Sequence, residues 1–370
     1  MTAIKGLEGI VAATSSISSI YDGVLAYRGI NIDDLAEHAC YEETAYLLWY
    51  GKLPTKSELQ TLGKKLSDYA PVPEQLLEQL KVYPKDANTM AVLRTAVSAL
   101  ALYDEQADDN SWECNQEKAI KLQAQLPTLI AAFARIREGK EPIAPLANVT
   151  LSHNFLYMLS GEEPDPVAVR ALDQALVLHA DHELNASTFS ARVTIATLSD
   201  IYSGVTSAIG TLKGPLHGGA NEAVMKMLNE IGTLDQAEPY IQRKLTNKEK
   251  IMGFGHRVYK NGDPRAKHLQ KMSRQLSLLN GDTTLYDISI KVDGLVSSQK
   301  GLRPNVDFYS ASVYTLLGIP SDLFTPIFAI SRLSGWTAHI LEQLEDNRII
   351  RPRAEYTGPN NQQYIPIDLR

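Results

Sequence analysis

Apolar residues recur at three- and four-residue intervals along most of the chain, the spacing that places them on one face of an α-helix. In the first part of the chain this pattern predicts helices over 32–39, 42–50, 57–69, 73–80, 89–103, 117–137 and 148–159. Proline, glycine or acidic loops separate these segments. Residues 1–150 are therefore predicted to form a mostly helical scaffold.

The one β-type signal lies near the N-terminus. Residues 6–29 contain several β-branched side chains and an Asp22-Gly23 pair between apolar flanks, which is typical of a β-hairpin. The predicted fold class is therefore all-α, mainly helical, with a small N-terminal β-hairpin.

The second half of the chain continues the helical pattern. Asp165-Pro166 and Asp263-Pro264 each combine an N-cap side chain with a proline suited to the first helical position, so a helix is predicted to begin at each pair. The remaining pattern predicts one long helix over 187–212, a helix over 284–298, a helix ending at Gly318, a helix from about 326, and an extended tail over 356–370.

Composition narrows the class of protein. The chain has 370 residues, 44% of them hydrophobic, and a formal net charge of −7, which argues against a general nucleic-acid binder. Only Cys40 and Cys114 are present, too few for a disulfide framework. No signal-peptide pattern is evident, and no apolar run approaches the roughly 18 to 20 residues that span a bilayer. A globular, cytoplasmic protein is predicted.

The segment 253–268 has the composition of an anion-binding loop. Gly253 and Gly255 allow a close backbone approach, and one histidine, two arginines and two lysines follow between His256 and Lys267. Arg265 is predicted to lie in the first turn of a helix, beside free backbone N–H groups. The alternative is an exposed glycine-rich connection with solvated charges.

His179 and His182 lie three residues apart, so they share a helical face. Three interpretations remain open: a metal site, imidazoles that line a substrate pocket, or histidines satisfied inside a core. The metal is the weakest, since the His-Glu-x-x-His spacing is absent and no cysteine is nearby.

Three further residues have sequence contexts that suggest chemistry. His217 stands between glycine-containing segments before a helix, where the helix N-terminus lowers the pKa of an imidazole and keeps it neutral. Asp307 falls in a helical first turn, where the backbone field favours the ionised carboxylate and so a base. Arg332 interrupts an apolar stripe and needs a partner. Alternatively, the glycines only form a turn, and Asp307 only stabilises its helix.

Considered together, these residues suggest one active site. Its chemistry is proton abstraction by a carboxylate, stabilisation of an enol or alkoxide by imidazoles, and binding of a polycarboxylate by guanidinium groups. The residues do not identify the substrate. The candidates are His179, His182, His217, His256, Asp307, Arg265, Arg332 and Arg351.

The chain resembles the citrate synthase family along nearly its whole length. The matching segments occur in family order at 179–187, 214–220, 253–265, 304–310 and 351–358. The resemblance implies an almost entirely helical homodimer. It implies a large domain formed by 1–215 and 321–370 and a small domain, 216–320, that closes over the substrates.

The resemblance also implies roles for individual residues. Asp307 would remove a methyl proton from acetyl-CoA while His217 donates a hydrogen bond to the thioester carbonyl, and His256 would polarise and protonate the ketone of oxaloacetate. Hydrolysis of citryl-CoA would then yield citrate and CoA, the entry step of the tricarboxylic acid cycle. The substrate-binding residues would be His179, His182, Arg265, Phe328, Arg332 and Arg351. His182, Arg265, Arg332 and, from the second subunit, Arg351 would hold the carboxylates of oxaloacetate, Phe328 would pack against the acid, and His179 would support the pocket. CoA would contact Gly253, Gly255, Arg257, Lys260, Lys300 and Arg303.

No metal or organic cofactor is implied, since the CoA thioester is a substrate. The nearest alternative is a 2-methylcitrate synthase that uses propionyl-CoA, because one methylene in an apolar pocket changes discrimination by only about 1–3 kcal/mol. A remote alternative is a non-catalytic, metal-binding helical protein.

Overall fold

The computed structural model describes residues 5–7, 9–256, 258–259 and 262–370. Within these ranges it contains sixteen α-helices and one small antiparallel sheet, so the prediction of a mainly helical fold is confirmed. The helices are α1 (Ile32–His38), α2 (Tyr41–Tyr50), α3 (Lys56–Tyr69), α4 (Glu74–Lys81), α5 (Thr89–Leu100), α6 (Trp112–Arg137), α7 (Leu151–Ser160), α8 (Pro166–His179), α9 (Ala186–Ile195), α10 (Ile201–Leu212), α11 (Ala220–Ile231), α12 (Ala237–Thr246), α13 (Ala266–Asn280), α14 (Thr284–Lys300), α15 (Val306–Leu316) and α16 (Phe324–Glu345).

The sheet contains the predicted hairpin and one strand more. Its strands are β1 (Ser18–Tyr21), β2 (Val24–Tyr27) and β3 (Ile30–Asn31), in that order. Asp22 and Gly23 both adopt positive φ, which matches the twist of the flanking strands. Arg28 and Gly29 repeat that conformation and return the chain to β3, a second turn that the sequence pattern did not reveal.

The sheet holds the connection between α8 and α9. The Tyr27 hydroxyl donates to the carbonyl oxygen of Asp181 at 3.0 Å, and the Ser18 hydroxyl donates to the Asp181 carboxylate. The backbone N–H of Ile20 donates to Glu183 at 2.8 Å. The sheet therefore fixes the segment that carries His182.

Helix α16 is the centre of the hydrophobic core. All residues from Phe324 to Leu341 are buried, and the helix packs against α2, α6, α8, α9 and α10. This helix is buried on all sides because other helices surround it. Arg332 is therefore placed inside the protein rather than on its surface.

Helices α11 to α15 pack mainly against one another, with α13 against α15, α11 against α15 and α12 against α14. They meet the remaining helices through contacts with α8 and α16. This arrangement places the loop before α13 and the first turn of α15 next to the end of α8. None of the helices that the structure describes is long and apolar enough to cross a bilayer.

Several predicted helix boundaries differ from the observed ones; α6, for example, begins at Trp112 rather than at 117. Two differences lie close to the site. The predicted helix 187–212 is interrupted after Ile195, because Leu198 adopts positive φ and the Asp200 side chain caps the new helix α10. The helix predicted from Asp263 begins only at Ala266. The Asp263 carboxylate accepts hydrogen bonds from Arg265, so it holds the turn before α13 rather than capping the helix.

Candidate active site

Two buried arginines form the floor of the site, and each is about 2% exposed. Arg265, just before α13, donates from Nε and Nη2 to the two carboxylate oxygens of Asp263 at 2.9 and 2.7 Å. Arg332, in α16, donates from Nε to the carbonyl oxygen of His179 at 2.7 Å. Its guanidinium lies 4.7 Å from the centre of the Phe328 ring.

The two guanidinium groups differ in how their charge is balanced. Burial lowers the pKa of Arg265, but the facing Asp263 carboxylate outweighs that effect and holds this pKa above its usual value. Burial lowers the pKa of Arg332 to about 10, so the group remains charged at neutral pH. No carboxylate among the described residues lies within ion-pair distance of Arg332. An anionic ligand would supply that missing partner.

His182 and His256 stand face to edge, with ring centres 5.2 Å apart. Nδ1 of His256 accepts the backbone N–H of Val258 at 3.1 Å. Burial, followed by the charge of Arg265, lowers the pKa of His256, so the ring is neutral and its proton lies on Nε2. His182 pairs with the Tyr259 hydroxyl at 3.0 Å, and burial holds its pKa well below the usual value. His256 thus presents one N–H donor to the site.

His217 is also a neutral donor, and its tautomer is set by α9. Nε2 accepts the backbone N–H of Ser187 at 3.3 Å and lies 2.8 Å from the Ser187 hydroxyl oxygen. The Trp336 indole N–H donates to that same oxygen at 3.0 Å. Burial, then Arg332, lowers the pKa of His217 to about 4, so the proton lies on Nδ1.

The physical cause of the neutral His217 ring differs from the prediction. The sequence suggested that a helix N-terminus would lower the pKa, whereas burial is the main cause. The connection that carries His217 needs its glycine, since a β-carbon at Gly218 would lie 2.9 Å from Leu212 Cγ. The loop is therefore pressed against the end of α10.

Asp307 occupies the first turn of α15, as predicted, but its pKa moves in the opposite direction. The sequence argument expected the helix start to favour ionisation. Burial instead raises the pKa of Asp307 to about 6, against the opposing charge of Arg265. No described residue donates a hydrogen bond to its carboxylate. A carboxylate with this pKa is ionised at neutral pH and is a stronger base than an ordinary aspartate.

Asn305 connects Asp307 to the glycine loop. Its side-chain oxygen accepts the backbone N–H of Asp307 at 3.1 Å, while its amide donates to the carbonyl oxygen of Gly255 at 3.0 Å. Gly253 has φ +83, and a β-carbon there would lie 2.8 Å from Phe308 Cδ2. The loop that carries His256 is thus fixed to the helix that carries Asp307.

His179 is fully buried at the end of α8 and lies edge-on to Phe328, with ring centres 5.1 Å apart. Its Nδ1 lies 2.7 Å from the Ala175 carbonyl oxygen, which can only accept, so Nδ1 carries the proton. Burial lowers the pKa of His179 to about 3. The remaining nitrogen, Nε2, is an acceptor, so this ring is suited to supporting Phe328 rather than to holding a carboxylate.

Lys300, Arg303 and Arg351 lie outside this cluster. Arg257 and Lys260 fall outside the described residues. Lys300 and Arg303 are exposed, and the Arg303 carbonyl oxygen accepts the N–H of Gly255 at 2.9 Å. Arg351 is exposed in the tail and makes no side-chain hydrogen bond or ion pair with a described residue.

Sequence reasoning missed several residues that position the site. Asp263, Tyr259, Ser187, Trp336 and Asn305 hold the arginines, imidazoles and loops described above. Only Asp263 had a local signal, a carboxylate two residues before an arginine. The others act through contacts between distant segments. The described residues contain no cluster of three or more histidine, cysteine or carboxylate side chains that could hold a metal.

A buried carboxylate, neutral imidazole donors and buried guanidinium groups in one site of a helical protein are suited to an enzyme that removes a proton from carbon and binds anionic substrates. A family model for the C-terminal domain of citrate synthase matches residues 6–353. The chain belongs to the citrate synthase family, and it is an acyltransferase.

Individual relatives agree with this assignment. Citrate synthase 2 of Bacillus subtilis is 61% identical over all of both chains. The citrate/2-methylcitrate synthase of the same organism is 45% identical, over 96% of this chain and 97% of its own. The structure of citrate synthase from Thermoplasma acidophilum, in a ternary complex with carboxymethyl coenzyme A and oxaloacetate, matches with a TM-score of 0.92. It is 33% identical and covers 99% of both chains.

Proposed function

We propose that this protein condenses acetyl-CoA with oxaloacetate and hydrolyses the resulting citryl-CoA to citrate and CoA. The observation that carries the proposal is the buried Arg332, which has no carboxylate within ion-pair distance among the described residues and lies near neutral imidazoles and a buried base. A dianionic keto acid would satisfy that charge, and its ketone would accept a hydrogen bond.

In the first step Asp307 removes a proton from the methyl group of acetyl-CoA. The Nδ1–H of His217 donates a hydrogen bond to the thioester carbonyl oxygen, where negative charge develops, and so stabilises the enolate as it forms. Both groups suit these roles at neutral pH, because the Asp307 pKa of about 6 leaves it ionised and the His217 pKa of about 4 leaves it neutral.

In the second step the methylene carbon of this enolate attacks the ketone carbon of oxaloacetate. The Nε2–H of His256 donates to the ketone oxygen and protonates it as the carbon–carbon bond forms. His182, Arg265 and Arg332 hold the carboxylates, and Phe328 packs against the bound acid. Water then cleaves the thioester of citryl-CoA, which releases citrate and the CoA thiol.

The proposal includes a division into domains. Residues 216–320 form the small domain, and 1–215 with 321–370 form the large one. The mutual packing of α11 to α15 supports this division. The small domain carries His256, Arg265 and Asp307, whereas Arg332 lies in the large one, so closure would complete the site.

We also propose the CoA contacts, the oligomeric state and the cellular location of the enzyme. CoA would contact Gly253, Gly255, Lys300 and Arg303. Arg257 and Lys260 are further candidates for this contact and lie outside the described residues. The enzyme is a homodimer, and it acts in the cytoplasm, where the two free cysteines fit a reducing compartment. It needs neither a metal nor a cofactor, so activity is expected to survive exhaustive chelation.

The first prediction compares two acyl substrates. We expect kcat/KM to favour acetyl-CoA over propionyl-CoA by about 10- to 200-fold, because an extra methylene must fit the same apolar space. A steady-state assay with oxaloacetate at saturation measures both constants. The relative that carries the name citrate/2-methylcitrate synthase makes propionyl-CoA the second candidate substrate. A preference for propionyl-CoA would replace the proposed substrate with this alternative.

The second prediction tests whether Arg351 acts across the dimer. Arg351→Ala and Asp307→Ala proteins are each expected to be inactive. If Arg351 completes the partner's site, each heterodimer contains one intact site, and random exchange should restore about a quarter of the wild-type activity. Activity of the exchanged mixture is measured against unmixed samples treated identically. A mixture that exchanges subunits but stays inactive would place Arg351 in its own subunit's site.

A further inference from the structure

Two buried polar atoms beside the proposed active site lack a hydrogen-bond partner among the described residues. They are Nε2 of His179 and the hydroxyl of Tyr314. Both residues are fully buried, and their ring centres lie 6.4 Å apart. Buried polar groups without partners are rare in folded proteins, so a pair of them so close together needs an explanation.

The two atoms are chemically complementary. Nδ1 of His179 donates to the Ala175 carbonyl, which leaves Nε2 as an acceptor on a neutral ring. Burial, and then the charge of Asp307, raises the pKa of Tyr314, so its hydroxyl stays protonated and can donate. His179 presents a nitrogen lone pair and Tyr314 a hydroxyl, and no hydrogen bond joins the two directly. A buried water makes about two to four hydrogen bonds, and these two groups would supply one donor and one acceptor to it.

A link between Tyr314 and His179 would connect two parts of the proposed active site. Tyr314 follows Asp307 by seven residues in α15, so the two side chains lie two turns apart on one face. His179 ends α8, and its carbonyl oxygen accepts the Nε–H of Arg332. A link between Tyr314 and His179 therefore joins the helix of the proposed base to the segment that holds a proposed substrate arginine.

We propose that one buried water bridges the Tyr314 hydroxyl and His179 Nε2, and that Tyr314 is thereby a positioning residue for Asp307. The inference rests on the proposed role of Asp307. It assigns His179 a function that differs from direct contact with oxaloacetate, since its free nitrogen accepts a hydrogen bond and cannot donate one to a carboxylate.

Tyr314→Phe tests the inference, because it removes only the hydroxyl. We expect kcat with acetyl-CoA to fall about three- to ten-fold, the effect of losing one hydrogen bond that orients a reacting group. KM for oxaloacetate should stay unchanged, since no contact with that substrate is lost. Loss of a purely structural group would lower the melting temperature and leave kcat unchanged.

Tyr83→Phe is the matched control. Tyr83 follows α4, and its hydroxyl is likewise buried without a partner among the described residues. This change should leave both kinetic constants at their wild-type values. Unaltered kcat in Tyr314→Phe would overturn the inference, while an inactive wild-type enzyme would instead refute the proposed function.

A double-mutant cycle tests whether His179 is the partner of the Tyr314 hydroxyl. In His179→Phe the ring can still lie against Phe328, but the acceptor nitrogen is gone. If the bridge exists, the double variant with Tyr314→Phe should have nearly the kcat of His179→Phe alone, because the hydroxyl no longer has a partner. If the losses in kcat of the two single variants instead multiply in the double variant, the bridge is contradicted. If His179→Phe fails to fold, the Nε2 nitrogen resonance of His179 can be compared between the wild-type protein and Tyr314→Phe. A resonance that does not shift would contradict the bridge equally.

Discussion

Asp307→Asn is expected to lower kcat by about 10²- to 10⁴-fold while leaving the fold intact. Asparagine has nearly the shape of aspartate but cannot accept a proton from the acetyl methyl group. No described residue donates a hydrogen bond to the Asp307 carboxylate, so the change breaks no contact that holds α15 in place. The loss should therefore appear in the chemical step rather than in folding.

The stability of this variant separates a catalytic carboxylate from a structural one. The folded-state pKa of Asp307, about 6, lies above the ordinary value, so ionisation near pH 7 disfavours the folded state. Asparagine removes that penalty, and the free energy of unfolding should stay equal or rise. Asp287→Asn is the control, because Asp287 also lies in a helical first turn, that of α14. It should retain full activity.

The pH dependence of the wild-type enzyme provides a further check on the same residue. Since kcat/KM reports the free enzyme, it should fall as the pH drops through about 6, where the Asp307 carboxylate becomes protonated. An Asp307→Asn enzyme that keeps wild-type kcat, or whose residual activity keeps this acid limb unchanged, would require a different base.

The sequence was a good guide wherever a local pattern decided the structure. In α16 the apolar residues at four-residue spacing predicted the helix and showed that Arg332, on the same stripe, needs a partner, and the structure buries Arg332 there. The Asp22-Gly23 turn was equally plain, because positive φ at both residues favours this pair. Arg28-Gly29 escaped notice because β3 has only two residues, too few to show a strand pattern.

Electrostatic properties of the site were less accessible from sequence. The first-turn position of Asp307 was visible, and it predicted a lowered pKa. The opposite shift arises from burial under other elements, which no local pattern contains. His217 shows the same dependence, since Ser187 and Trp336 fix its tautomer from 30 and 119 residues away along the chain. Residue types were predictable, whereas their protonation states needed the fold.

Arg265→Met is expected to destabilise the protein by about 3–5 kcal/mol, in addition to weakening oxaloacetate binding. The side chains of Arg265 and Asp263 are about 3% and 0% exposed and form a bidentate ion pair. Removal of the guanidinium leaves a buried carboxylate without its cation. Two backbone N–H groups, those of Arg265 and Val306, still donate to Asp263 but carry no full charge. The loss can be measured by denaturant unfolding, with and without oxaloacetate.

Two further variants separate the stability effect from the binding effect. Asp263→Asn combined with Arg265→Met removes the uncompensated charge, so it should recover much of the lost stability but none of the oxaloacetate binding. Arg192→Met removes another buried arginine, one that pairs with Glu342 at 2.6 Å between α9 and α16. It should also destabilise the protein, yet oxaloacetate should still raise its melting temperature. If Arg265→Met responded to oxaloacetate as Arg192→Met does, Arg265 would be a structural residue rather than part of the oxaloacetate site.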